Sequence, residues 1–390
     1  MVSDGKFKHI EFDQIHKPGL FGLEIIYTPI IKDLQGSQIL SNEDQVRFSK
    51  LKTKHKKREF LTARTALNKI DKGFSQKISY HGQRPFLKNE IDHISLSHSN
   101  SYAIAAWHPT MPVGIDIESD RDQLKKISKK FLSLNEINKI ESSPNPKLAR
   151  RIAWGAKESI FKAADQKGLS FSTDIQLKFI ATRIEGKGIA NITDGRQYVI
   201  YWSFFKDSRK SDHAIVCAVE KPKSLRIVLT GPESSGKTEL TNSLSEYFKM
   251  PFVPEYAREY FNKKNKKYDL SDLLKINDAQ TKLQKATNGE MVFWDTDLIT
   301  IIIWAKEKFN TNNEIFEKLL KENIPHFYLL CNPDLKWEQD DLRENPNDRY
   351  RLLKEFQSIL IKRRIPYAHI QGKGEIRLKN AIESIQSQIF

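Results

Sequence analysis

The run Gly231-Pro-Glu-Ser-Ser-Gly236-Lys237-Thr238 constrains this chain more than any other segment. It follows RIVLTG, a short β-rich apolar run, and leads into the helical TELTNSLSEYF. Strand, glycine-rich turn and helix in that order aim backbone amides and a helix N-terminus at a polyphosphate. Gly231, Ser234, Ser235 and Gly236 would form the cradle. Lys237 would reach the outer phosphates of ATP, and Thr238 a magnesium ion. MVFWDTD and HFYLLCN read as further buried strands between helical stretches. That alternation predicts an α/β layer with a mainly parallel sheet.

Ligands of such sheets sit at the carboxyl ends of the strands. Asp295 and Asp297 lie at that end of MVFWDTD. One of them could order magnesium and the other take a proton from an acceptor hydroxyl; the pair could instead cap the next helix. VPEYAREYF, residues 253–261, lies where an acceptor would bind. Residues 329–349 begin as a strand and turn polar, with Arg343 and Arg349 suited to a lid that closes on a phosphoryl group.

A length of 390 residues exceeds one ordinary core, so two domains are expected. HAIVCAVE ends one β-rich region, KPKS interrupts it, and RIVLTG starts another. The domains are therefore set at 1–222 and 223–390. The charge is uneven: residues 1–222 hold 37 Lys and Arg against 25 Asp and Glu, and residues 223–390 hold 27 against 24. A first domain at +12 should draw in an acidic partner or a polyphosphate ligand. No nucleic-acid motif accompanies the Lys52–Arg58 cluster, so nucleic acid is not expected as a partner. DTDLITIIIWA is about half as long as a membrane span, and MVSDGKFKHIEFDQ lacks a secretory leader's apolar core. Two widely separated cysteines, Cys217 and Cys331, fit a reducing cytosol, and a cytoplasmic location is expected.

The first domain has its own constellation. In VGIDIE, residues 113–118, Asp116 and Glu118 stand two apart on a predicted strand, which puts both carboxylates on one face. In WGAKESIFK, residues 154–162, helical spacing aligns Trp154, Glu158 and Lys162. A carboxylate from this helix could join the strand pair around magnesium. Lys157, Lys162 and His98 of the SHS run could serve phosphates. Charged helices are predicted around Ser49–Lys69 and Lys147–Ala164, one in each of two similar α+β halves, about 1–110 and 111–222.

GQRPFL at 82–87, SHS at 97–99, GIDIE at 114–118, FLSLNE at 131–136 and WGAKESIFK at 154–162 occur in that order. Together they resemble the Sfp-type 4′-phosphopantetheinyl transferases over nearly all of residues 40–220. The resemblance implies a pseudo-duplicated α+β fold. It implies transfer of phosphopantetheine from coenzyme A to a serine of an acidic acyl or peptidyl carrier protein. Asp116, Glu118 and Glu158 would hold magnesium on the diphosphate. Glu158, or a metal-bound water, would take the serine proton, and Lys162 would sit on the diphosphate. His98 and Arg64 would hold the nucleotide phosphates, and Arg84 would lie at the adenine end.

GPESSGKT, EYAREY, DTDLIT and WEQDDLRENPNDR resemble the NadR-type ribosylnicotinamide kinases and their AAA relatives over residues 225–370. That likeness implies ATP-dependent phosphorylation of a small nucleoside such as nicotinamide riboside. The lid reads WEQDDLR, with Asp341 where the family form carries glycine. The chain is thus expected to be a bifunctional enzyme using magnesium, coenzyme A and ATP. The alternative is a transferase whose P-loop domain senses ATP and gates it.

Overall fold

The computed structural model describes residues 8–9, 22–34, 37–88, 91–119, 123–208, 210–263, 268–311, 314–322, 324–339 and 347–388. The chain divides into two compact units, the first ending at Pro222 and the second beginning at Lys223.

Unit one opens with β1 (Lys8–His9), β2 (Glu24–Pro29), α1 (Asn42–Ser49) and α2 (Lys54–Ile70). The hairpin β3 (Ile78–His81) and β4 (Arg84–Leu87) follows, then β5 (His93–His98) and β6 (Tyr102–His108). The helix predicted around Ser49–Lys69 is α2, which starts five residues later because Thr53 takes an extended backbone and its hydroxyl caps the helix by accepting from Lys56 N. An antiparallel sheet in the order β1-β2-β6-β5 packs on α2. Ala66, Leu67 and Ile70 of the helix meet Ile26, Ile94, Ala105 and Trp107 of the strands.

The rest of unit one is β7 (Val113–Ser119), α3 (Gln123–Lys126), α4 (Ser128–Phe131), α5 (Leu134–Glu141), α6 (Pro146–Ala164), β8 (Ile175–Leu177), β9 (Glu185–Ile192), β10 (Gln197–Lys206) and β11 (Asp212–Lys221). Its antiparallel sheet runs β7-β11-β10-β9-β8, and α6 lies on β7 and β11. Two glycines let this helix come unusually close. A Cβ on Gly114 would stand 1.8 Å from the Ser159 carbonyl oxygen, and one on Gly155 would stand 2.6 Å from Val216 Cγ2. Ser159 Oγ donates to Val216 O across the same contact, at 2.8 Å. Asn145 caps the start of α6 and Pro146 occupies its first turn.

Unit two contains β12 (Leu225–Thr230), α7 (Lys237–Phe248), β13 (Phe252–Val253), α8 (Tyr256–Lys263), α9 (Leu270–Ala286), β14 (Met291–Asp295) and α10 (Leu298–Phe309). These are followed by α11 (Glu314–Glu322), β15 (Phe327–Cys331), α12 (Arg349–Lys362), β16 (Tyr367–Ile370) and α13 (Glu375–Gln386). All pairings in the sheet β13-β14-β12-β15-β16 are parallel, as expected from the alternation of elements. Val228, Trp294, Tyr328 and Leu330 pack with Ile299 and Ile303 of α10 and with Leu353, Phe356 and Leu360 of α12. Among the described residues no helix is long and apolar enough to cross a membrane. Cys217 and Cys331 are both buried free thiols.

Candidate active sites

In unit one the close seating of α6 decides where its polar side chains go. Trp154 Nε1 donates to Glu118 Oε1 at 3.1 Å. Two turns later Lys162 Nζ reaches Asp116 Oδ1 at 2.8 Å, Ile115 O at 2.9 Å and Ser97 Oγ at 3.1 Å. Glu158 stands midway between these two anchors on the same helical face. Its place in the helix is thus between the two residues that touch the strand carboxylates. Ser97 Oγ also donates to Asp116 Oδ1, whereas Asp116 Oδ2 is buried with no hydrogen-bond partner and faces Gly155. A buried carboxylate oxygen left in that state carries a desolvation cost that a cation would offset.

These residues fit a hard divalent cation in donor chemistry, in shared face and in the orphaned oxygen. They do not form a ready-made cage. Among the described residues no three His, Cys, Asp or Glu side chains already cluster as metal ligands, and the Lys162 ammonium lies on Asp116.

The remaining residues expected around the nucleotide divide. His98 Nδ1 lies 3.7 Å from the buried carboxylate of Glu59, which also meets His55 at 3.1 Å and Lys56 at 2.8 Å. Burial holds the His98 imidazole below its ordinary pKa, against the pull of Glu59. Arg84 stays partly open, paired with Asp165 at 2.7 Å beyond the end of α6. Arg64 is a correction. Its guanidinium is buried and forked onto Asp44, with Nε to Oδ2 at 3.0 Å and Nη2 to Oδ1 at 3.1 Å, and it also meets Tyr80. A fork already satisfied by a carboxylate is not offered to a phosphate. Lys157 is a second correction. It is fully buried, and its ammonium donates to Glu136 Oε2 and Phe171 O at 2.7 Å and to Ile175 O at 2.9 Å. Glu136 also closes the capping box of α5, so this pair joins two helices and a loop.

In unit two the loop from Gly231 to Thr238 lines a cavity of about 700 Å³. Gly231 has φ +131°, and a Cβ there would come within 2.5 Å of Cys331 O. Lys237 Nζ bends back to Gly231 O at 3.0 Å and Pro232 O at 2.8 Å. Ser235 Oγ donates to Pro232 O at 2.7 Å, so this hydroxyl shapes the loop. Arg349 donates to Ser234 O and Leu335 O. Arg343 and Asp341 lie outside the described residues.

The two acids of DTD have different surroundings. Burial raises the Asp295 carboxyl's pKa, against the pull of its hydrogen bond with Thr238 and of Lys237. Its Oδ1 is buried without a hydrogen-bond partner. Asp297 instead caps α10: Oδ1 accepts from Ile299 N at 3.1 Å, and Oδ2 accepts from the Tyr328 hydroxyl. Neither residue lines the cavity; Glu255 does. Burial first, and the neighbouring Asp295 next, raise the Glu255 carboxyl, while Lys237 and Arg258 oppose them. Of the roles open to it, Asp297 takes that of helix cap here. Glu255 went unnoticed in EYAREY, although it follows β13 at the same carboxyl edge that singled out Asp295. Phe261, Tyr268 and Trp304 supply an apolar wall that the sequence did not mark.

Burial pushes Asp297 up to about 6. A raised carboxyl favours the folded state below its ordinary pKa, and that contribution is lost as pH rises through 6. Asp297→Asn is expected to flatten this part of the stability profile between about pH 4 and 6. The ATP-dependent turnover expected of unit two from its sequence should stay within about threefold, since an amide oxygen still caps Ile299 N. Thermal melts across pH and a turnover assay check both; a hundredfold loss of turnover in a folded variant would give Asp297 a role as proton acceptor or magnesium ligand.

Comparisons with known proteins agree with this division. Residues 112–219 match the model of the 4′-phosphopantetheinyl transferase superfamily, and residues 226–377 match that of an AAA domain. A solved structure of NadR in complex with NR is 22% identical, over 43% of this chain and 52% of that one, with a TM-score of 0.38. Thymidylate kinase from Ehrlichia chaffeensis is 18% identical, over 42% of this chain and 100% of its own, with a TM-score of 0.32. Deoxyadenosine kinase from M. mycoides with dCMP and dCDP is 13% identical, over 42% and 100%, with a TM-score of 0.33. The chain spans about half the length of the NadR proteins that it matches. The chain thus matches the 4′-phosphopantetheinyl transferase superfamily model in its first unit and the AAA domain model in its second.

Proposed function

We propose that unit one transfers 4′-phosphopantetheine from coenzyme A to a carrier-protein serine, and that unit two phosphorylates a small nucleoside, nicotinamide riboside, with ATP. One observation carries the transferase reading: Trp154 and Lys162 bracket Glu158 against Glu118 and Asp116, beside an orphaned buried carboxylate oxygen. Asp116, Glu118 and Glu158 would hold magnesium, which neutralises charge on the diphosphate. Lys162 would exchange its contact with Asp116 for the diphosphate. Glu158 takes the proton of the serine hydroxyl as its oxygen bonds to the β-phosphorus of coenzyme A. The phosphorus–oxygen bond to the nucleotide breaks, and adenosine 3′,5′-bisphosphate leaves with that electron pair. The surplus of twelve positive charges in residues 1–222 favours encounter with an acidic carrier protein.

In unit two the Gly231–Thr238 loop would hold the phosphates of ATP, with Lys237 on the outer ones and Thr238 and Asp295 disposed toward magnesium. Glu255 would accept the proton of the acceptor hydroxyl; its raised pKa suits a general base. The hydroxyl oxygen bonds to the γ-phosphorus, and ADP departs with the electrons of the broken bond. Arg258 lines the same cavity, and Arg349 and Arg343 would close on the transferring group.

The test incubates the full chain with an apo carrier protein, coenzyme A, ATP, magnesium and nicotinamide riboside, and reads masses. One phosphopantetheine on the carrier and one phosphoryl group on the nucleoside are expected. An unmodified carrier overturns the first half. Modified carrier alongside nucleosides that gain no phosphate overturns the second.

A further inference from the structure

A loop that binds anions must turn its N–H groups inward and its carbonyls outward. In a trans peptide the carbonyl of one residue and the N–H of the next point in opposite directions. Whatever holds a loop carbonyl from behind therefore sets the aim of the following amide. In unit two a buried arginine from α13 does this for the Ser235 carbonyl. Arg377 is 4% exposed. Its Nη2 donates to Ser235 O at 2.6 Å and to Asn332 O at 3.0 Å. Its Nη1 donates to Asp334 Oδ1 at 2.7 Å and to Gly372 O at 2.9 Å. Asp334 Oδ2 accepts in turn from Gly372 N at 2.7 Å. Four of the five guanidinium donors are used. The fifth, Nε, is buried without a hydrogen-bond partner and lies 3.7 Å from where a Gly236 Cβ would be.

We propose that Arg377 is a nucleotide-positioning residue. It draws the Ser235 carbonyl outward, and so aims the Gly236 N–H at the phosphate site. The same guanidinium ties the phosphate loop to the loops after β15 and β16, which carry Leu335 and Lys373 into the cavity wall. A lysine cannot replace it, because one ammonium cannot span carbonyls contributed by residues 235, 332 and 372 while pairing with Asp334. The proposal rests on the reading of unit two as an ATP-using enzyme, but its test does not need a phosphorylated product.

The test titrates an ATP analogue with a fluorescent ribose into the full-length wild type, Arg377→Lys, Arg377→Ala and Asp334→Asn. Circular dichroism and melting temperature are read in parallel. Arg377→Lys should weaken nucleotide binding by at least about tenfold at near-native secondary structure. Asp334→Asn, which leaves the carbonyl contacts in place, should weaken it less. Where turnover is measured, KM for ATP should rise and KM for the acceptor should stay within about twofold. Wild-type affinity in folded Arg377→Lys or Arg377→Ala overturns the proposal. Should Arg377→Ala fail to fold, the lysine variant decides alone. Should the lysine variant fail too, while Asp334→Asn folds and binds normally, Arg377 is a structural tie and the positioning role is refuted. A wild type that binds no nucleotide refutes the ATP reading itself, separately from the role of Arg377.

Discussion

Asp116→Asn is expected to lower carrier-protein modification by at least about a hundredfold while unit one stays folded. The amide has the carboxylate's shape and can still accept from Lys162 and Ser97, the two partners of Oδ1. What it removes is the negative charge and the orphaned Oδ2 acceptor that faces Gly155. Each factor of ten corresponds to about 1.36 kcal/mol, so a hundredfold loss is about 2.7 kcal/mol of transition-state stabilisation. The rate of mass gain on an apo carrier, followed across magnesium concentrations, measures it. The requirement for magnesium should rise in the variant, a signature that a packing role for Asp116 does not give. A near wild-type rate at low magnesium would remove Asp116 from the site.

Lys237→Ala is expected to reduce ATP-dependent phosphorylation by about a thousandfold. Lys237 Nζ now lies against Gly231 O and Pro232 O, so the free loop keeps the ammonium at its centre. Alanine removes the one side-chain charge of the loop proposed to reach the outer phosphates. It leaves the Arg377 contact to Ser235 O, which acts on the loop from behind. The same variant separates the two readings of the second unit. Unchanged carrier modification with lost phosphorylation makes the activities independent. A change in carrier modification that tracks ATP concentration makes unit two a sensor. Full phosphorylation by Lys237→Ala would dismiss the loop as a catalytic element.

The local patterns were legible where a single element decides the outcome. Period two put Asp116 and Glu118 on one face of β7, and helical spacing aligned Trp154, Glu158 and Lys162 on α6. The glycine-rich loop stands between a parallel strand and a helix, as its pattern requires. Spacing did not reveal that Gly114 and Gly155 allow α6 to touch the sheet backbone. That closeness makes Lys162 meet Asp116 directly instead of standing free for a phosphate. The start of α2 was placed a few residues early, because Thr53, whose hydroxyl caps it, lies inside a charged run.

By itself the sequence determined two units and a parallel sheet in the second, and it marked the segments proposed to carry chemistry. Strand and helix periods, and a turn that needs glycine at fixed positions, are properties of neighbouring residues. Only the tertiary structure decided which charges remain available. Arg64 closes on Asp44, twenty residues away, and Arg377 closes on the carbonyl of Ser235, 142 residues away. Asp297 caps its own helix, yet its second oxygen is taken by Tyr328 from another strand. Buried charges and donors must find partners when water is removed. The partners come from whichever segments the fold packs beside them, and sequence spacing carries no record of that distance.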